Sequence, residues 1–98
     1  MSVTVTALFP TKVEASDNFY TTLVSVLPET RTYDGCISVT PHRDLDDSAK
    51  ILLIEEWESR EHYLAYLQWR VETGLLEAIG PMLAGEPVTN FYSSSQDL

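Results

Sequence analysis

The chain has 98 residues, enough for one domain, of which 44% are hydrophobic and 21% charged. Fifteen acidic against six basic side chains give a net charge of −9, which repels phosphate backbones and anionic membrane surfaces and speaks against nucleic acid as a partner. The longest apolar run, Ile51 to Ile54, is far too short to span a membrane, the N-terminus lacks the pattern of a signal peptide, and a lone Cys36 has no internal disulfide partner.

A cytoplasmic protein is therefore expected. One cysteine and two histidines do not make a tetrahedral zinc set at any familiar spacing. A domain this small buries only about 60–65% of the surface its unfolded chain exposes, so a second copy would help its thin core.

In chain order, Val3, Val5, Ala7 and Phe9 share one face of an alternating run that predicts a strand ended by Pro10. Residues 15 to 31 predict a helix with Phe19, Leu23, Val26 and Leu27 on one side and Tyr20 at its edge. Ser16 is its expected N-cap, and Pro28 is expected to kink or loosen its last turn. Asp34-Gly35 signals a turn, and a second strand runs from Cys36 to Thr40, ended by Pro41. Residues 42 to 50 form a polar loop.

Residues 50 to 57, KILLIEEW, give the strongest strand, apolar on both faces at its centre, so both faces should be covered. Ser59 caps a helix over 60 to 73, and Gly74 suits its C′ position. A short helix at Leu75 to Ile79 is stopped by Gly80-Pro81, and a last strand runs from Val88 to about Ser93. Residues 93–98 have little to bury and are expected to form a flexible tail. The order predicts an α+β domain: a ferredoxin-like split β-α-β unit with a four-stranded antiparallel sheet and helices on one face. The bare face then calls for a second subunit in a two-fold homodimer.

The stretch EEWESREHYLAYLQWR, residues 55 to 70, concentrates rings. On a helical wheel Leu64, Leu67 and Val71 form the core stripe, with Tyr63 at its edge, Tyr66 further round, and His62 and Trp69 nearly opposite. Trp57 and Tyr63 either wall a pocket for a flat ligand or fill a core corner, the indole bonded to a nearby carbonyl. Trp69, Tyr66 and His62 suggest a contact surface, unless the short helix or the tail covers them. Glu55, an acid in an apolar strand, is a base if it points inward, or else it pairs with Arg31 or Arg70. His42 and His62 are surface histidines or proton carriers. Cys36 reads as a small apolar residue. The established nucleotide, hydrolase, zinc and redox motifs are missing, so the residues alone name no reaction.

Taken in order, Asp34-Gly35-Cys36-Ile37, an acidic loop, Leu53-Ile54-Glu55-Glu56-Trp57-Glu58-Ser59, an amphipathic helix and Pro81-Met82-Leu83-Ala84-Gly85-Glu86-Pro87 resemble the antibiotic biosynthesis monooxygenase domain from Val3 to Tyr92. The resemblance implies a dimeric α+β barrel and oxidation of quinols or polyketides by O₂ with no metal or flavin. It implies that Trp57 and Tyr63 line the pocket. Leu53 stands where the antibiotic-pathway members carry asparagine. Thr6 and Leu67 stand where the haem-degrading branch carries asparagine and histidine, which speaks against haem degradation. Leu67-Gln68 also replaces a mid-helix histidine found in many members.

The expected function is a cofactor-independent monooxygenase of a small aromatic, quinol or polyketide-like ligand. Trp57, Glu55 and His42 are its catalytic candidates, with Leu53, Tyr63, Tyr20, Phe19, Leu67 and Arg70 around the substrate and Arg70 steadying an oxyanion. The alternatives are a non-enzymatic ligand-binding or assembly module on the same fold and, more remotely, an isomerase or cyclase.

Overall fold

Four strands and three helices follow the order read from the sequence in a computed structural model that describes residues 2–94. They are β1 (Val3–Pro10), α1 (Ser16–Thr32), β2 (Cys36–Arg43), β3 (Lys50–Trp57), α2 (Arg60–Thr73), α3 (Leu75–Ile79) and β4 (Val88–Ser93). The sheet is antiparallel throughout, in the order β2-β3-β1-β4. This is the expected ferredoxin-like α+β arrangement. Of the expected tail, residues 95–98 lie outside the described residues.

Alternation decides what each strand buries. Val5 and Ala7 of β1, Val39 of β2 and Ile51, Leu53, Glu55 and Trp57 of β3 turn inward and are buried. Phe19, Leu23 and Leu27 of α1 pack against them. Full burial of a Phe or Leu side chain contributes about 1.5–3 kcal/mol, so this layer anchors α1 to the sheet. The opposite face carries Leu8, Leu52, Ile54, Val88 and Tyr92, of which Val88 and Tyr92 are half exposed. Both faces of β3 were expected to be covered; within one chain the helices cover only one.

The ends of α2 follow the sequence. The Ser59 hydroxyl accepts from the His62 backbone N–H, and Gly74 closes the helix at φ 84°. Two expectations need correction. Ser16 does not cap α1 but begins it. A 3₁₀ turn over Val13–Ala15 already leads into the helix, and the Ser16 hydroxyl donates back to the Val13 carbonyl. The second strand does not stop at Pro41 but runs on to Arg43, because β2 is an edge strand and tolerates a residue without an N–H. Helix α1, expected to carry Pro28 inside it, runs through Pro28 to Thr32; Val24, whose carbonyl loses its partner, lies on the exposed side where water can serve it.

The largest correction concerns α2. Its buried face is Tyr63, Tyr66 and Arg70, with Leu67 half-buried, whereas Leu64 and Val71 are about half exposed at 47% and 51%. The helix is rotated so that its rings and its arginine face inward. Hydropathy could not foresee this, because Arg70 goes inward only by finding several hydrogen-bond partners there.

Candidate functional site

Between the inward face of the sheet and the helices lies a cavity of about 50 Å³. Ala7 and Leu53 line it from the sheet, Leu27 from α1, Leu67 from α2, and Leu76 and Ile79 from α3. Its polar wall is made by Glu55, Tyr63, Tyr66, Thr30 and Arg70.

Glu55 is 3% exposed. Neither arginine weighed as its partner reaches it. Arg31 donates to the Val39 carbonyl, and Arg70 lies 3.5 Å from Glu29. Its protein partner is Trp57, whose indole Nε1–H donates to Glu55 Oε1 at 2.8 Å. Loss of hydration pushes the Glu55 carboxyl up to about 7, against the downward pull of that hydrogen bond. A carboxylate poised near neutrality and facing a small apolar cavity can take up and return a proton. The same burial, aided by the Glu55 charge, raises the Tyr63 phenol well above its ordinary value although Thr89 hydrogen-bonds it. Tyr63 therefore stays protonated.

Trp57 is fully buried. It was expected to wall the ligand space; instead it packs behind residues that do. Its ring centroid lies 5.7 Å from that of Tyr63 and 5.1 Å from that of Tyr66. Its part is to hold the carboxylate. Trp57→Phe should keep most of the packing and remove the donor. The apparent pKa of Glu55 should then rise above its wild-type value, which a pH titration of the carboxyl or of the reaction rate checks.

Arg70 does not present its cation to the cavity. Nε donates to the Tyr66 hydroxyl, Nη2 donates to the Val26 carbonyl and the Thr30 hydroxyl, and Nη1 meets Glu29. Tyr66 and Thr30 share a further hydrogen bond of 2.7 Å. This network fixes the α1–α2 wall, so Arg70 holds Tyr66 in place and an oxyanion would find its donors already engaged.

The other expected residues divide. Leu53, Tyr63 and Leu67 line the cavity together with Arg70. Phe19 is buried against Phe9, and Tyr20 lies under the Arg43 guanidinium, so neither reaches it. His42 sits on the face of the sheet turned away from the helices, paired with Leu52, and cannot act with Glu55. Its place follows from the strand alternation once β2 is carried past Pro41. His62 is half-buried against the turn at Gly35; its Nδ1 hydrogen-bonds the Ser59 hydroxyl and its Nε2 lies 3.9 Å from Asp34. Trp69 packs on Tyr33 and under Arg70. The sequence reading missed Ala7, Thr30 and Tyr66. A small residue amid large ones on an inward strand face was the available signal for Ala7. Among the described residues no three His, Cys, Asp or Glu side chains gather as a metal site, and no helix is long and apolar enough to cross a membrane.

Comparison with known proteins agrees with the fold. The family described as antibiotic biosynthesis monooxygenase matches residues 2–70. A conserved protein from Methanosarcina mazei Go1 is similar at a TM-score of 0.86 and 20% identity, with 97% of this chain and 94% of that chain covered. A solved antibiotic biosynthesis monooxygenase gives a TM-score of 0.84 and 21% identity over 94% and 97% of the two chains. A protein from Mycobacterium tuberculosis gives 0.75 and 22% over 96% and 95%. At these identities the likeness to the solved structures is one of fold. No curated protein sequence matches the chain.

Proposed function

The chain belongs to the antibiotic biosynthesis monooxygenase family, and from that premise we propose that it is a cofactor-independent oxygenase of a small aromatic, quinol or polyketide-like substrate, with Glu55 as its general base. The observation that carries this is the buried Glu55 carboxylate, without a cationic partner among the described residues, on the wall of an apolar cavity.

The chemistry asks little of the protein. Glu55 removes a proton from an acidic C–H or hydroxyl of the substrate. The resulting anion is electron-rich, passes one electron to O₂, and the carbon radical and superoxide combine into a peroxide anion. Glu55 returns the proton to give the hydroperoxide. Where the attacked carbon began as CH₂, loss of water leaves a carbonyl, so CH₂ and O₂ become C=O and H₂O. Tyr63 and Tyr66 supply flat surfaces, and the apolar walls exclude water and keep the base desolvated.

The cavity is smaller than the roughly 150 Å³ hollow that holds a benzene ring in another protein. Binding therefore requires side chains at its edge to move. Leu67 and the 36% exposed Leu76 stand there, the latter on the five-residue α3. The small volume also favours the second reading, a module that binds a ligand without turning it over.

Oxygen uptake with a panel of quinols and anthrones separates the two. Consumption above the uncatalysed rate that falls in Glu55→Gln supports the oxygenase. Saturable binding with no consumption returns the chain to the binding module.

The chain works as one domain in a homodimer on this reading, with the second copy on the outer sheet face around Leu8, Leu52 and Ile54. Ile54→Asp would place two carboxylates in that apolar contact. Sedimentation should find a dimer for the wild type and a monomer for the variant; a wild-type monomer in dilute solution contradicts the pairing.

A further inference from the structure

Five of the seven tyrosines and tryptophans of the chain form one cluster: Tyr33, Trp57, Tyr63, Tyr66 and Trp69. The cluster begins at the cavity, where Tyr63 and Tyr66 are wall residues. It continues to Trp57, whose centroid is 5.1 Å from Tyr66, and from Tyr66 a further 5.3 Å to Tyr33. Trp57 and Tyr33 also meet edge to face at 6.4 Å. Tyr33 is the solvent end: its ring is half-buried, and its hydroxyl is exposed and held by a long 3.4 Å hydrogen bond to the Ala65 carbonyl. Hydrophobic packing alone does not ask for rings that one-electron oxidants attack most readily, linked from a cavity to water.

A second feature sits in the middle of this path. The Trp57 N–H already donates to Glu55. An indole that loses an electron becomes a strong acid at nitrogen, and its proton has a carboxylate waiting. The electron can then leave Trp57 without stranding a positive charge in the core.

We propose that Trp57 and Tyr33, bridged by Tyr66, form an electron relay that quenches organic peroxyl radicals in the cavity. The inference rests on the oxygenase reading for its oxidant. If superoxide escapes before it recombines, the carbon radical takes up a second O₂ and becomes a peroxyl radical. Trp57 gives it one electron, Glu55 delivers the proton it took from the substrate to the resulting peroxide anion, and the carboxylate so restored accepts the Trp57 N–H proton. An electron from Tyr33 refills Trp57, Glu55 hands the proton back, and the Tyr33 hydroxyl proton goes to solvent. The net change converts the peroxyl radical, protonated Glu55 and Tyr33–OH into the hydroperoxide, the Glu55 carboxylate, the Tyr33 phenoxyl radical and a proton. A small thiol in solution supplies the final hydrogen atom, restores Tyr33 and leaves as a thiyl radical.

Laser photoionisation tests the relay without any substrate, so its failure is read separately from failure of the oxygenase reading. In Trp69→Phe the one remaining tryptophan is Trp57. Its radical should convert to a tyrosyl radical at a rate independent of protein concentration. In Trp69→Phe/Tyr33→Phe, which keeps a ring at both positions, the conversion should slow by an order of magnitude or more. Equal rates in the two proteins, or a Trp57 radical that persists until molecules collide, would overturn the relay. During turnover, Tyr33→Phe should start at the wild-type rate and inactivate after fewer cycles; equal lifetimes would overturn the protective role.

Discussion

Glu55→Gln is expected to lose activity while gaining stability. Gln keeps an oxygen for the Trp57 N–H but cannot accept a proton, so the base's contribution of about 10²–10⁴ in rate should vanish. The stability gain follows from burial. Glu55 has a folded pKa of about 7 against an ordinary 4.5. Between those values the folded state holds a proton that the unfolded state has released, so stability falls as pH rises through that window. Above it the loss levels off. The difference between 4.5 and about 7, at about 1.4 kcal/mol per pH unit, is about 3 kcal/mol. Urea unfolding of both proteins at pH 5 and pH 8 checks this: the variant should lead by about 2–3 kcal/mol more at pH 8. Equal leads at both values would mean that Glu55 is not buried as an acid.

Gly35→Ala should be the most damaging small substitution in the turns. Gly35 and Gly74 both have positive φ, 89° and 84°. A Cβ costs roughly 1–2 kcal/mol in that conformation. At Gly74 that is the whole cost, because nothing lies within 4 Å. At Gly35 the added carbon would come within 2.4–2.5 Å of Cβ, Cγ and Cδ2 of His62, whose ring is itself held by Ser59. Overpacking of this kind adds about 1–3 kcal/mol. The domain should therefore lose about 2–5 kcal/mol for Gly35→Ala and about 1–2 kcal/mol for Gly74→Ala, measured by urea unfolding. Introducing His62→Ala should cost less in the Gly35→Ala background than in the wild type. Equal costs for the two glycine variants would show that His62 does not guard the turn.

Much of the fold was legible in the sequence, and the reasons are local. The β3 boundaries came from KILLIEEW, and those of α2 from Ser59 and Gly74, because alternation and caps are properties of neighbouring residues. Glu55 could be singled out as an acid in an apolar strand for the same reason. What failed depended on partners far along the chain. Arg70 turns inward because Val26, Thr30, Tyr66 and Glu29 receive it, and that turn of the helix exposes Leu64 and Val71. His42 was misplaced because an edge strand can carry Pro41, and whether β2 lies at an edge is a fact of topology. Trp57 was expected beside the ligand on the family resemblance, whereas the residues alone left it either there or in a core corner. Its two-residue spacing from Glu55 lets its N–H reach the carboxylate, and that use takes it out of the cavity wall.

The account depends most on the state of one side chain. A ¹³C NMR titration that follows the Glu55 side-chain carboxyl, assigned by its loss in Glu55→Gln, measures that state in the intact protein. The account predicts a midpoint at about 7, moving upward in Trp57→Phe. A midpoint in the ordinary carboxylate range, unchanged by removal of the indole, would contradict it.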